Sequence, residues 1–325
     1  MLPSNTMIEE TFMQFLLQHQ LKHKRTLNFL ILMESIISAS KAIQNLYTKA
    51  AIDDNLAYAG NINVQGEDVT KIDLMADNIF IHYLKGSKQV IQVISEEREK
   101  KINLNPKGRY FVYYDPIDGS SNVKHNLPVG ILFGIAKKNL EGKETKRLRP
   151  GREYIASGIF MIPSGNFTFY LNDAGCWRFL KSAGGTYIRP EKVKLPSNKK
   201  KFNLSYNVSY LDHYPPKLSQ WLIDNSGKYG FRYSGSLAGD IHRILTTGGV
   251  YFYPSVMGGG KNYPDGKLRL LYECNVVANI VKAAGGDAID DMGRPILDLK
   301  PHDLHQRSSL IVGDKKLIRS LQKIL

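Results

Sequence analysis

Apolar residues recur with helical spacing in two stretches of the N-terminal third of the chain. They fall roughly every 3.6 residues over Leu27–Tyr47 and again over Val69–Leu84, a period typical of amphipathic helices. The segment between them, Ala51–Asp68, is rich in Asp, Asn and Gly and has no such period, which predicts a loop. The pattern therefore predicts two long helices, with Asp73 on the second and Glu67 in a loop that is a candidate lid.

A run of aromatic and β-branched residues at Tyr110–Tyr114 predicts a buried strand followed by an acidic turn. Pro116 has no N–H for a strand ladder, so the strand is expected to end at Asp115. Asp115 and Asp118 flank the bend and can share hard cations, which prefer oxygen ligands. The next residues, Gly119–Ser121, offer successive N–H groups and two hydroxyls that suit a phosphate. An Asx-rich surface turn is the alternative.

A second predicted strand, Val90–Ile94, also ends in acids, at Glu96 and Glu97. Sheets of α/β proteins bind ligands outside the carboxyl ends of their strands, so these acids are expected to converge with the two aspartates of the turn. Because four clustered carboxylates repel one another unless cations neutralise them, the sequence predicts a metal site. The alternative is that Glu96 and Glu97 only cap a solvent-facing turn.

The second half of the chain predicts another α/β layer. Strands are expected at Asn203–Val208 and Val250–Tyr253, and a helix at Leu268–Ala284. On this helix Glu273 lies between apolar neighbours, where an unpaired carboxylate is costly, which favours a metal ligand. Lys267 is either a phosphate contact or an ordinary surface cation.

Two histidines near the C-terminus, His302 and His305, have i,i+3 spacing, but no carboxylate cluster is near in sequence. A structural role is therefore favoured over metal binding.

Composition narrows the class of protein. With 325 residues, 42% of them hydrophobic, the chain can form a large core. The net charge of +14 would suit a nucleic-acid-binding protein, but the cations are scattered and no recognised DNA- or RNA-binding motif accompanies them. Most of these charges are expected to be ordinary solvated surface, and a field that attracts a phosphorylated substrate is a further interpretation of them. No apolar run reaches membrane-spanning length and no targeting segment is recognised, so a soluble cytoplasmic protein without membrane or nucleic-acid partners is expected.

Six segments, in chain order and over nearly the whole chain, resemble class I fructose-1,6-bisphosphatases. The turn D-P-I-D-G-S alone is shared with inositol monophosphatases, and the C-terminal segments make the resemblance specific. The segments are V-I-S-E-E at Val93–Glu97, D-P-I-D-G-S-S-N at Asp115–Asn122, V-G-I-L-F-G-I at Val129–Ile135, R-Y-S-G-S-L-A-G-D-I-H-R at Arg232–Arg243, G-K-L-R-L-L-Y-E-C-N at Gly266–Asn275 and H-D-L-H-Q-R at His302–Arg307.

The resemblance implies a layered α/β/α/β/α sugar-phosphatase fold with two packed α/β halves, 1–192 and 193–325. It implies a cytoplasmic homotetramer that uses Mg²⁺, or Mn²⁺, to remove the 1-phosphate of fructose 1,6-bisphosphate in gluconeogenesis. A related phosphatase acting on sedoheptulose 1,7-bisphosphate or inositol phosphate is the alternative within the fold, and a basic nucleic-acid-binding protein the alternative outside it.

The resemblance also implies roles for individual residues. Those matching the family's metal ligands are Glu96, Asp115, the carbonyl of Ile117, Asp118 and Glu273. Those matching contacts to the departing phosphate are Asp118, Gly119, Ser120 and Ser121. Those matching contacts to the sugar and its other phosphate are Asn207, Tyr233, Tyr253, Lys267 and, from a neighbouring subunit, Arg232. Those expected to position and deprotonate the attacking water are Glu97, Asp73 and Glu67.

Overall fold

The computed structural model describes residues 9–23, 27–50, 61–62, 68–69, 71–138, 148–196, 202–258 and 261–325. Among the helices in these ranges, none combines the length and the apolar character that a bilayer span requires. Glu67 lies outside the described residues, so its predicted place in a lid has no structural counterpart here.

The N-terminal half builds one large sheet beside a layer of helices. The helices are α1 (Phe12–His23), α2 (Leu27–Ala50) and α3 (Lys71–Ser87). The strands are β1 (Asn61–Ile62), β2 (Asp68–Val69), β3 (Val90–Ser95), β4 (Ile102–Asn103), β5 (Tyr110–Asp118), β6 (Val129–Lys137), β7 (Tyr154–Ile162), β8 (Phe167–Leu171), β9 (Gly175–Lys181) and β10 (Tyr187–Lys192). The eight-stranded sheet has the order β10-β9-β8-β7-β6-β5-β3-β4. Only its β3–β5 pair is parallel, so these two strands end at the same edge.

The C-terminal half builds a second, smaller sheet with the order β12-β11-β13-β19-β17. The helices are α4 (Pro216–Asn225), α5 (Leu237–Thr247), α6 (Asn275–Ala283) and α7 (Lys315–Leu321). The strands are β11 (Asn203–Ser205), β12 (Gly230–Phe231), β13 (Gly249–Tyr253), β14 (Val256–Gly258), β15 (Lys261–Tyr263), β16 (Leu268–Arg269), β17 (Asp287–Ile289), β18 (Arg307–Ser308) and β19 (Leu310–Gly313).

Three apolar cores hold these elements in five layers. The first core joins helices α1 to α3, through residues such as Phe80, to one face of the large sheet. The second fills the space between the two sheets, where α5 and α6 lie and where Val277 is fully buried. The third packs α4 and α7, including Ile318, against the outer face of the small sheet. Burial of apolar surface on both faces of each sheet is the main stabilising contribution to this arrangement, and the α/β/α/β/α layering agrees with the prediction.

Several element boundaries differ from the sequence prediction. Helix α2 continues past Tyr47 to Ala50, and α3 begins two residues after Val69 because Asp68–Val69 pairs with Asn61–Ile62 as a short antiparallel ladder. The strand expected over Asn203–Val208 ends at Ser205, since Asn207 instead begins a 3₁₀-helix. The helix expected from Leu268 begins as a strand and then a π-helix, Leu270–Cys274, before α6.

Candidate active site

The turn after the Tyr110 strand is part of the strand, contrary to the prediction that pairing ends at Asp115. β5 runs to Asp118, and its register against β6 shifts between Asp115, which faces Leu132, and Asp118, which faces Gly130. Three steps along β5 therefore oppose two along β6, which is a β-bulge. The bulge accommodates Pro116, which lacks an N–H, and lets pairing resume beyond it. It leaves both aspartates buried at one edge of the sheet.

Three carboxylates meet at this edge. Each of Asp115, Asp118 and Glu273 has a carboxylate oxygen within 4.8 Å of the others, and all three residues are buried. The parallel pairing of β3 with β5 brings Glu96 to the same edge, where its N–H donates to the carbonyl of Tyr114 at 3.1 Å. The structure thus brings together the acids from both strand ends, as their positions in the sequence indicated.

The electrostatics of this cluster favour a bound cation. Burial raises the pKa of Asp115 well above its usual value, and the charges of Glu96, Asp118 and Glu273 add to the shift. Burial likewise raises the pKa of Asp118 to about 6 and that of Glu273 to about 8. The carboxylates of the fully ionised cluster therefore repel one another unless a positive charge lies among their oxygens. A hard divalent cation fits this all-oxygen donor set.

Asp118 is held in place from the other half of the chain. Its Oδ2 accepts hydrogen bonds from the Ser236 hydroxyl at 2.7 Å and from the Ala238 N–H at 2.8 Å, at the start of α5. These bonds lower the pKa of Asp118 and offset part of the effect of burial. The N-terminus of α5, which favours negative charge, is thereby directed at the carboxylate cluster.

Glu97 and Asp73 form an acidic pair beside this cluster. Asp73 is buried in the first turn of α3. Burial, together with the charges of Glu96 and Asp73, raises the pKa of Glu97 to about 10. The Oε2 atom of Glu97 is buried and has no hydrogen-bond partner among the described residues. In the metal-free protein this carboxyl is therefore protonated near neutral pH, and a cation bound nearby would lower its pKa toward the range in which a general base works.

The small residues after Asp118 form a tight, partly open turn. Gly119 has φ of 79°, and a 3₁₀-helix, Ser120–His125, follows it. Asn122 fixes the turn, since its amide group donates to the carbonyls of Pro128 at 3.2 Å and Ser234 at 3.1 Å. Ser120 is half-buried and Ser121 is exposed, so their N–H and hydroxyl groups lie next to the carboxylates and within reach of a ligand from solvent.

Replacing Gly119 with alanine is expected to destabilise the protein by about 1–3 kcal/mol and to lower activity, because a Cβ is strained in this backbone conformation. The added Cβ would also lie 2.7 Å from the Cβ of Ser236, whose hydroxyl holds Asp118. Thermal unfolding and phosphate release measure the two effects. Gly175→Ala is the matched control, with φ of 87° but its nearest neighbour 3.8 Å away. Equal activity losses in both variants would contradict the role of the Ser236 contact.

The predicted sugar contacts of the C-terminal half lie around a cluster of tyrosines. The side chains of Tyr233 and Tyr253 hydrogen bond to each other, and burial raises the pKa of Tyr233 to about 12. The charge of Asp118 contributes to this shift, so the tyrosines lie close to the acidic edge. Tyr210 and Tyr214 belong to the same cluster, since they contribute to the raised pKa of Tyr253. Sequence reasoning missed Tyr210 and Tyr214. Two tyrosines four residues apart, just after the end of the predicted strand Asn203–Val208, were a usable signal.

The remaining predicted contacts are Asn207, Arg232 and Lys267. Asn207 caps the 3₁₀-helix Val208–His213, with its Oδ1 accepting from the Ser209 N–H at 3.1 Å. Arg232 is exposed, and its guanidinium donates to the carbonyl of Phe231 at 2.6 Å. Lys267 is half-buried just before β16, and its carbonyl accepts from the Arg269 guanidinium at 2.5 Å.

Glu273 is presented by an unusual turn that the sequence pattern did not reveal. It lies in the π-helix Leu270–Cys274, and its Oε2 accepts from the N–H of Arg269 at 2.5 Å. Short π-helices are frequently found at functional sites, where they redirect a side chain. Helical periodicity alone could not distinguish this turn from the start of α6.

Comparison with known proteins identifies the class to which this fold and site belong. The C-terminal and N-terminal halves each match a sugar-phosphatase domain: residues 10–192 match the Fructose-1-6-bisphosphatase N-terminal domain, and residues 195–325 match the Fructose-1-6-bisphosphatase C-terminal domain. The chain therefore belongs to the fructose-1,6-bisphosphatase family, and the resemblance recognised in the sequence is confirmed.

Individual relatives agree with this assignment along nearly the whole chain. The chain is 51% identical to the class 1 fructose-1,6-bisphosphatase of Syntrophus aciditrophicus, with 97% of this chain and 98% of the relative covered. It is 34% identical to fructose-1,6-bisphosphatase 1 of Mus musculus, with 97% and 94% covered. The crystal structure of Leishmania major fructose-1,6-bisphosphatase in holo form matches with a TM-score of 0.88 at 28% identity, with 97% and 98% covered. The predicted fold and enzyme class are thus confirmed.

Proposed function

We propose that this protein is a cation-dependent phosphatase that hydrolyses the 1-phosphate of fructose 1,6-bisphosphate to give fructose 6-phosphate and phosphate. The observation that carries the proposal is the buried cluster of three carboxylates, Asp115, Asp118 and Glu273, in a chain of the fructose-1,6-bisphosphatase family. Phosphate monoesters are among the slowest uncatalysed hydrolyses, with enzymatic accelerations up to about 10²¹, so strong charge stabilisation is required.

The residues that would hold Mg²⁺, or Mn²⁺, are Glu96, Asp115, the carbonyl of Ile117, Asp118 and Glu273. When bound, such a cation supplies positive charge to the phosphate oxygens and lowers the pKa of water. The raised pKa values of the buried acids support this assignment, because burying several like charges without a counter-ion is costly.

The protein's own groups bind the phosphate and accept a proton. The N–H groups and hydroxyls of Gly119, Ser120 and Ser121 bind the departing phosphate, beside the Asp118 carboxylate. Glu97 takes the proton of the attacking water at a carboxylate oxygen, and Asp73, whose charge contributes to the raised pKa of Glu97, keeps that oxygen basic. The same proposal gives the loop acid Glu67, which lies outside the described residues, a part in positioning the water. The Oε2 atom of Glu97, which is buried and has no hydrogen-bond partner among the described residues, supports this role, since that atom can accept a proton once a bound cation has lowered the pKa of the carboxyl.

The second half of the chain binds the rest of the substrate in this proposal. Tyr233, Tyr253, Asn207 and Lys267 contact the sugar and its other phosphate. Arg232 reaches the same phosphate in a neighbouring subunit, for which its exposure is suitable. The division into halves at 192/193, a homotetrameric assembly and a cytoplasmic location belong to the same proposal.

The experiment that tests the function is phosphate release from a panel of sugar phosphates, with and without Mg²⁺. We expect fructose 1,6-bisphosphate to be hydrolysed only with the cation, and faster than sedoheptulose 1,7-bisphosphate or inositol phosphate. A faster reaction with either alternative would reassign the substrate. Absence of release from the whole panel, with salt-dependent DNA binding, would overturn the enzyme assignment.

A further inference from the structure

His305 joins the two halves of the chain through Arg98 and Tyr272, which are adjacent in sequence to Glu97 and Glu273. Its backbone belongs to the C-terminal half, where Leu270 donates to the Gln306 carbonyl at 2.8 Å and β18 pairs with β16. The segment is thereby fixed to the π-helix that carries Glu273. The imidazole points away from this attachment toward the N-terminal half, and its Nε2 lies 3.0 Å from the carbonyl oxygen of Arg98, which is 207 residues away in sequence.

The two contacts of the imidazole determine its tautomer. A carbonyl oxygen only accepts, so Nε2 carries the hydrogen and donates to Arg98. Nδ1 is then the acceptor, and it receives the hydroxyl of Tyr272 at 2.9 Å. Tyr272 is fully buried and directly precedes Glu273. The ring therefore links the residue before Glu273 to the residue after Glu97.

Arg98 is anchored on its other side by the N-terminal half. Its Nε donates to the Asp77 Oδ2 at 2.5 Å, and the Asp77 Oδ1 accepts from the Ser95 hydroxyl at 2.6 Å and from the Tyr114 hydroxyl at 2.5 Å. Asp77 is completely buried in α3. The short turn that carries Glu96 and Glu97 is consequently held at Ser95 and at Arg98, with its last carbonyl bound to His305.

We propose that His305 is a positioning residue that sets the distance between the Glu96–Glu97 turn and the Glu273 helix, and thereby raises the affinity of the site for divalent cations. The inference rests on the proposed function, because it assumes that these acids bind the cation. Groups that orient metal ligands without touching the metal change affinity strongly when they are lost, typically by about 10- to 100-fold.

The test is a titration of the metal-free protein with Mn²⁺, in which the free ion is followed by electron paramagnetic resonance. We expect His305→Ala to raise the dissociation constant for Mn²⁺ by about tenfold or more. His305→Gln keeps one donor and one acceptor at similar separation, and we expect it to stay within about threefold of the parent protein. His302→Ala, an exposed histidine three residues earlier, is the matched control and should leave Mn²⁺ binding unchanged.

A second variant tests the link to Tyr272 with a smaller structural change. Tyr272→Phe removes only the hydroxyl that donates to His305, and we expect a loss of affinity of about three- to tenfold. Because Tyr272 acts through His305, the double variant should bind Mn²⁺ no more weakly than His305→Ala alone. If His305→Ala does not fold, the comparison of Tyr272→Phe with the parent protein remains as the test, and equal Mn²⁺ affinity in these two proteins would overturn the inference.

The outcomes separate this inference from the proposed function. Failure of the parent protein to bind Mn²⁺ would contradict the proposed metal site, and the inference with it. Binding by the parent protein with equal affinity in His305→Ala would overturn the inference alone. A loss in His305→Ala that His305→Gln does not restore would assign the effect to packing and would also overturn it.

Discussion

Asp118→Asn is expected to reduce phosphate release by about a hundred- to a thousandfold, because it removes the negative charge of a proposed cation ligand next to the proposed phosphate-binding turn. The fold should remain intact. Asparagine has the same shape, and its carbonyl oxygen can still accept the hydrogen bonds of the Ser236 hydroxyl and the Ala238 N–H. Turnover and circular dichroism on the same preparation measure the two parts of the prediction.

The same substitution has a second expected effect on the metal-free protein. Asp118 adds to the charge repulsion that raises the pKa of Asp115 and of Glu273. Loss of this charge should therefore leave the melting temperature in chelator unchanged or higher, while the stabilisation by Mg²⁺ is largely lost. Asp173→Asn, in the exposed turn between β8 and β9, is a control that should change neither quantity. Near-normal activity of Asp118→Asn would contradict the proposed role of this carboxylate.

The convergence of the acids was predictable from the sequence because it depends on local patterns. Two apolar runs each end in carboxylates, and the parallel pairing of β3 with β5 places both ends at one edge. The rule that ligands bind outside the carboxyl ends of strands then locates the site without any knowledge of the remaining fold.

The features that the sequence did not reveal are those that depend on contacts with residues far away along the chain. The bulge at Asp115 to Asp118 depends on how β5 pairs with β6, and no property of the D-P-I-D turn determines that register. The anchoring of Asp118 comes from Ser236, 118 residues further along the chain. Likewise, the π-helix around Glu273 has the apolar spacing of an ordinary helix start.

The tyrosine cluster shows a further limit of pattern reading. Tyr210, Tyr233 and Tyr253 belong to separate segments, and the pKa values of Tyr233 and Tyr253 are raised mainly by burial and by neighbouring tyrosines. Each alone has the character of an ordinary core or surface aromatic residue. Only the packing of the small sheet brings the phenol groups together next to Asp118, so the pocket is a property of the tertiary structure.

Removal of divalent cations is expected to abolish activity and to make the stability of the protein fall as the pH rises. Activity should return with Mg²⁺ or Mn²⁺, whereas Ca²⁺, which is larger and less exacting in its geometry, should restore little. Full activity in the presence of chelator would contradict the proposed function.

The pH dependence follows from the acids of the site. In the folded, metal-free protein the pKa is about 6 for Asp118, about 8 for Glu273 and about 10 for Glu97, whereas unfolded carboxyls titrate near pH 4. Between these values the folded state holds more protons than the unfolded state, so raising the pH destabilises the folded state. The loss should begin above about pH 4 and increase until Glu97 ionises near pH 10.

Cation binding should reverse this trend, because the bound charge replaces the protons that the acids otherwise hold. We therefore expect Mg²⁺ to raise the melting temperature by at least about 4 °C at pH 8 and by much less at pH 5. Melting curves at pH 5, 7 and 9, with Mg²⁺ and with chelator, measure the effect. Glu97→Gln is the matched variant: it removes an acid whose pKa is raised to about 10, so its stability in chelator should fall less steeply between pH 7 and 9. A melting temperature in chelator that rises over this range, or a slope that Glu97→Gln leaves unchanged, would show that these carboxyls are not the groups that require the cation.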